Sequence, residues 1–175
     1  HLRDIGFDQV TDRMSYQEVM DFNAEAWQVS LSWDVFDWLR SITSLPLLIK
    51  GVLRKDDARK AVSIGLDGIV VSNHGGRRLH GMPATIDVLP DIVRAVSDRT
   101  EIYMDGGIRR GTDILKAIAR GARAVLIGRP YAWGLGAGGE GGVRIVLELL
   151  REEFENTMVS AGCARLADID ESLLG

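Results

Sequence analysis

The strongest constraint on the fold is a repeat: a short apolar run, then a turn, then a stretch of helical pattern. Leu45–Lys50, Gly68–Val71, Glu101–Met104 and Ala124–Ile127 read as strands. Asp56–Ile64, a segment starting near Pro90, Thr112–Arg120 and a long segment from about Gly142 to Ser160 read as the helices that follow them. Gly65 and Gly121 stand where a helix ends in a left-handed residue. Pro90 fits a first turn, which needs no N–H from that position. Short strands alternating with helices imply right-handed crossovers and a parallel sheet. A closed (β/α)8 barrel needs eight such units and usually about 250 residues; this chain of 175 residues shows four.

Residues 1–29 are weakly periodic and read as a loop with one short helix. Ser32 then reads as an N-cap with Asp34 in the first turn. Trp33, Phe36 and Leu39 follow at helical spacing and read as packing residues. The glycine-rich stretch 134–142 resembles a nucleotide loop only superficially. It carries no phosphate-binding lysine and reads as a flexible connection to the last helix.

Composition removes several classes of function. At 46% apolar residues the chain can bury a core. A formal charge of −4 offers no basic surface for nucleic acid. Charges such as Lys50 and Arg54 interrupt every apolar run that could span a membrane. The one cysteine, Cys163, makes an internal disulfide impossible and reads as a small buried residue. No signal peptide or peroxisomal C-terminal tripeptide is visible, so a cytoplasmic protein is expected. The chain begins at His1, and is therefore expected to start inside a longer or processed product.

The chemistry concentrates in Val70-Val71-Ser72-Asn73-His74-Gly75-Gly76-Arg77. An apolar strand ends there in a polar turn. His74 can take a proton near neutral pH. Arg77, three residues on, can grip a carboxylate through two parallel hydrogen bonds. Together they point to proton abstraction from a small carboxylic acid. Lys50 ends another apolar strand, where burial without an anionic partner is costly. Asp105-Gly106-Gly107-Ile108-Arg109 and Gly128-Arg129 follow the last two strands. Their glycines allow backbone N–H groups to approach a phosphate, and Arg109 and Arg129 can add charge-assisted bonds.

These segments, with Leu45-Pro46-Leu47-Leu48-Ile49-Lys50-Gly51 and Gly128-Arg129-Pro130, resemble in the same order the motifs of the FMN-dependent L-2-hydroxy-acid oxidizing family. That family includes glycolate oxidase, lactate oxidase and mandelate dehydrogenase. The resemblance runs from about Ser30 to near the C-terminus. It implies that residues 30–175 are strands five to eight of a TIM barrel, with residues 1–29 the end of a barrel loop. It implies FMN as cofactor, held by Lys50, Ser72, Asp105, Gly106, Gly107, Ile108, Arg109, Gly128 and Arg129. Asp105 would meet the ribityl chain, and Lys50 the flavin edge where negative charge grows on reduction. His74 would be the base, and Arg77 the clamp that orients the substrate carboxylate. The reaction implied is oxidation of a small 2-hydroxy acid to the 2-oxo acid, with lactate or glycolate as substrate and mandelate-like acids as further candidates. Two departures stand out. The family pattern Gly-Gly-Arg-Gln-Leu-Asp is here Gly75-Gly76-Arg77-Arg78-Leu79-His80, so the loop gains basic character beside the site.

The resemblance also implies what this chain lacks: the first half of the barrel, with its substrate-contacting aromatics and the aspartate that orients the base. A half-barrel exposes sheet edges and an inner face. It is expected to self-associate or to pair with the first half as a separate or nicked chain. A catalytically inactive half-barrel, binding flavin or only assembling with a partner, is the alternative.

Overall fold

The computed structural model describes Ser15, Gln17, Glu18, Met20, Asp21 and residues 32–175. The chain divides into two compact units, 1–44 and 45–175. In the first, Gln17, Glu18, Met20 and Asp21 are helical, and the Gln17 amide donates to Asp21 Oδ1 at 2.9 Å. Most of the reading of residues 1–29 lies outside the described residues. Helix α1 (Val35–Ile42) begins later than expected. Its N-cap is Asp34, not Ser32: the Ser32 hydroxyl is spent on Asp34 Oδ2, and the Ser32 carbonyl accepts the Val35 N–H in a preceding turn. Trp33 and Phe36 pack with ring centroids 6.0 Å apart.

The second unit is built as β1 (Leu48–Val52), α2 (Lys55–Ser63), β2 (Gly68–Val71), α3 (Thr85–Val96), β3 (Glu101–Asp105), α4 (Gly111–Ala119), β4 (Ala124–Leu126) and α5 (Arg129–Ser160), with two short 3-10 turns after α5. The four strands are parallel and adjacent in chain order. Four parallel βα units are what the alternation predicts, and their order is that of half a (β/α)8 barrel, as the resemblance implies. β1 starts three residues late. Pro46 has no N–H to give a ladder, and the Leu47 N–H goes to the Asp67 carboxylate at 2.7 Å.

Strand alternation sorts the side chains onto two faces. Ile69, Val71, Ile102 and Met104 point to the helix side and are buried. Leu89, Ile92 and Val96 form a stripe on α3 and are fully or almost fully buried. Each such aliphatic contributes about 1.5–3 kcal/mol, so this layer holds the unit together. The opposite face lines the inside of the half-barrel; Val70 is buried there in the middle of the sheet, but toward the outer strands Leu48 and Leu126 are 45% and 40% exposed.

Two further helix boundaries depart from the sequence reading. Pro90 lies inside α3, not in its first turn, because the helix already starts at Thr85. The missing N–H costs one bond, and the buried stripe outweighs it. The glycine-rich stretch is mostly helical, not a flexible connection. α5 is interrupted only at Gly138 and Gly139, which have non-helical dihedral angles. Its two parts meet at Gly134 and Gly142, where a β-carbon on Gly142 would lie 1.9 Å from the Gly134 carbonyl oxygen. The glycines serve close backbone approach. The longer part of α5 packs on α4 around Leu115, Ala119, Cys163 and Ile169, so Cys163 is a buried core residue as expected.

Gly111 sets the spacing of α4 and α5. A β-carbon there would lie 2.1 Å from the Phe154 nitrogen, and its N–H donates to the Glu153 carboxylate at 2.9 Å. Gly111→Ala is expected to cost about 3 kcal/mol by urea denaturation, since backbone must move. Gly136→Ala meets no neighbouring atom and should leave stability unchanged or raise it by about 0.5–1 kcal/mol.

Candidate active site

Parallel pairing brings the carboxyl ends of all four strands to one edge, where loops can converge on a ligand. Lys50, Ser72 and Asp105 meet there on the inner face. Lys50 Nζ lies 2.6 Å from Asp105 Oδ2 and donates to Ser72 Oγ at 2.8 Å. Ser72 is fully buried, and its Oγ also accepts the His74 backbone N–H at 3.1 Å. The lysine is not the water-seeking strand end that a lone Lys50 would permit. It is 43% exposed but tied to Asp105, which is 17% exposed.

The chain then turns sharply. His74, Gly75 and Gly76 have φ of 55°, 68° and 71°. A left-handed histidine is uncommon and costs energy; here the Ser72 bond and a 3-10 turn hold it. His74 and Arg77 fall on this one turn, both exposed. Among the described residues, neither the imidazole nor the Arg77 guanidinium has a hydrogen-bond or ion-pair partner. No carboxylate among the described residues orients the His74 ring.

The loop after β3 turns on Gly106 and Gly107, with φ of 90° and 78°, and buries Ile108. Much of the N-terminus of α4 is already taken. Asp113 accepts the N–H groups of Arg109 and Arg110, each at 2.9 Å, and Glu153 takes that of Gly111. An anion is therefore better received at the start of α5. That helix opens on Gly128-Arg129-Pro130 with no acidic residue in its first turn. Arg129 donates to the Gly75 carbonyl at 2.5 Å, joining the β4 loop to the His74 turn. The Arg109 guanidinium stands apart from this group, stacked 5.5 Å from the centre of the Trp133 ring.

Thr85 escaped the sequence reading, and Asn73 and Gly51 stood in its motifs without a role. Thr85 is buried and its hydroxyl donates to the Asp105 carbonyl at 2.6 Å. The Asn73 amide donates to the Pro83 carbonyl at 3.2 Å, closing the long loop between β2 and α3. A threonine opening a helix and an asparagine beside the candidate base were the available signals. On the inner face below, the Tyr103 hydroxyl bonds the Glu101 carboxylate, which pushes the phenol up from its ordinary range. An open cleft of about 710 Å3 at the other ends of the strands, lined by residues such as Leu66, Glu101 and Arg123, includes none of the site residues.

The profile of the FMN-dependent dehydrogenase family matches residues 4–175. The chain belongs to that family. It is 56% identical over 154 residues to mouse 2-hydroxyacid oxidase 1, covering 88% of this chain and 42% of that protein. It is 56% identical over 145 residues to L-lactate oxidase of a Nostoc strain, covering 83% and 40%. The crystal structure of mandelate oxidase with (S)-2-phenylpropionate superposes with a TM-score of 0.77 at 50% identity, over 79% of this chain and 42% of that one. The chain thus spans about two fifths of the length of these relatives.

The residues present fit the family's flavin mononucleotide. Asp105 Oδ1 is buried and bonds to no protein group, an acceptor suited to a ligand hydroxyl. Gly106 is a close approach, since a β-carbon there would lie 3.2 Å from Thr85 Oγ1; Gly107 supplies a turn with φ of 78°, and Lys50 supplies a positioned cation.

Thr85 sets the height of that aspartate. Thr85→Val is expected to leave the Asp105 carbonyl without its donor and to cost about 1–3 kcal/mol. Thr85→Ser, which keeps the hydroxyl, should recover most of it. Urea denaturation of the three proteins gives the comparison.

Proposed function

We propose that residues 30–175 are the C-terminal half of an FMN-dependent oxidase of small L-2-hydroxy acids, with residues 1–29 the end of a barrel loop. The observation that carries this reading is the tie among Lys50, Asp105 and Ser72, placed beside the His74 turn with one Asp105 oxygen unspent. Lys50, Ser72, Asp105, Gly106, Gly107, Ile108, Arg109, Gly128 and Arg129 hold the flavin mononucleotide. When bound, that group would accept the two electrons and the second proton of the oxidation, and oxygen or another acceptor would reoxidise it. Lys50, fixed by its two partners, keeps positive charge where negative charge accumulates. Arg109 rests against the Trp133 ring, whereas Arg129 lies against the His74 turn.

Oxidation of a 2-hydroxy acid to the 2-oxo acid releases two electrons and two protons. His74 takes a proton from the substrate hydroxyl or its α-carbon. Arg77 binds the carboxylate and fixes the α-carbon's orientation. The names of the relatives favour L-lactate or glycolate as substrate, with mandelate-like acids next. No described helix is long and apolar enough to cross a membrane. The buried free thiol of Cys163 fits a reducing compartment. We place the protein in the cytoplasm; the peroxisomal names of two Arabidopsis relatives make that organelle the rival, which fractionation decides.

The exposed inner face favours a second reading, in which this chain alone turns over nothing. Its partner is then the first half of the barrel, as a separate or nicked chain, within a homo-oligomer. The visible spectrum before and after anaerobic L-lactate or glycolate separates the two. A flavin band that bleaches supports a competent site in the protein as prepared. A flavin band that persists supports binding without turnover, and a colourless sample removes flavin binding from this half alone.

In the assembled enzyme, His74→Gln is expected to lower kcat by about 10²–10⁴-fold with flavin content unchanged; full activity would remove the base assignment. Arg77→Lys should raise KM and lower kcat together, because an ammonium cannot copy a two-pronged clamp. Steady-state kinetics with glycolate and lactate read both.

A further inference from the structure

The sequence reading placed Gly51 within a motif but assigned it no role, and the geometry around it is specific. Lys50 pairs with Val70, but the next pairing along β1 is Val52 with Val71. Gly51 is the extra residue of a bulge. Bulges bend a strand and re-aim its neighbours, and they recur beside active sites. Here the slip keeps Lys50 on the inner face while sending Val52 into the buried layer, 3% exposed. The bulge needs a φ of +99° at Gly51, which L side chains rarely adopt.

A second constraint is independent of backbone angle. A β-carbon built on Gly51 lies 2.7 Å from His74 Cε1, 3.6 Å from Nδ1 and 3.7 Å from Nε2. All three close neighbours are atoms of one ring. The imidazole therefore lies over the bare α-carbon of residue 51. Among the described residues, no hydrogen bond fixes the ring, although its backbone is fixed by Ser72 Oγ.

We propose that Gly51 is a positioning residue for His74: its missing side chain is the seat on which the imidazole rests. Any side chain at 51 pushes the ring away from the strand end, and with it the nitrogen that would face a substrate. The consequence for turnover rests on the reading of His74 as base; the placement of the ring does not.

Gly65 provides the control. It too has a positive φ, +74°, but a β-carbon there meets nothing within 4 Å. Gly65→Ala therefore carries comparable backbone strain with no effect on any ring. The experiment is proton NMR of this chain with ¹³C-labelled histidine. In the unmodified protein, a nuclear Overhauser contact between the His74 Hε1 and the Gly51 α-protons is expected. Gly51→Ala should shift the His74 Hε1 resonance and abolish that contact, whereas Gly65→Ala should leave both as they were. Absence of the contact in the unmodified protein overturns the proposal, even if Gly51→Ala does not fold. An unmoved His74 resonance in folded Gly51→Ala overturns it as well. Neither result bears on the base assignment, which the kinetics of His74→Gln test separately.

Discussion

Everything in the candidate site hangs from the tie between Lys50, Asp105 and Ser72. These residues come from the ends of β1, β3 and β2, and a single ammonium joins them across the sheet. Its value is not mainly stability. With Lys50 nearly half exposed, solvent screens the pair, and exposed pairs contribute about 0–1 kcal/mol. What the tie supplies is order. It holds a positive charge at a fixed height, leaves one carboxylate oxygen of Asp105 available, and turns Ser72 Oγ into an acceptor for the His74 backbone. A ligand arriving at this edge meets charges that need not reorganise.

The same economy explains where the site was legible in the sequence and where it was not. β2 was readable residue for residue, because Gly68–Val71 is buried on both faces and a continuous apolar run reports that. Lys50, Ser72, His74 and Asp105 were readable as motif residues, and Gly65 and Gly121 as helix ends, where both indeed have positive φ. Pro90 misled because a proline signals a first turn only when nothing stronger fixes the helix start. The buried stripe from Leu89 to Val96 and the Thr85 bond to Asp105 fix it earlier. The glycines of 134–142 misled because composition does not distinguish a loop from two helical segments in close contact. The proposed role of Gly51 was invisible for a related reason: it depends on a ring that approaches from the turn after a different strand.

Thr85 and Asn73 show how the two loops of the site share a support. The long loop after β2 carries His74 and Arg77, and the Asn73 amide binds its far end at Pro83. Two residues on, Thr85 opens α3 and binds the Asp105 carbonyl. A β-carbon on Gly106 would lie 3.3 Å from Asn73 Oδ1 and 3.2 Å from Thr85 Oγ1. The turn bearing the proposed flavin ligands and the turn bearing the proposed base are therefore packed through these two polar side chains.

The departures at Arg78 and His80 can be weighed on the same geometry. Both are exposed, in the part of the loop beyond the 3-10 turn that carries His74 and ends at Arg77. The bonds that fix the candidate base come from Ser72 at one end and from Arg129 on Gly75 at the other, and neither involves residues 78–80. The change from an acidic to a basic residue therefore alters the field met by an approaching carboxylate rather than the seating of the imidazole. Added positive charge there attracts an anionic acid and weakens with salt.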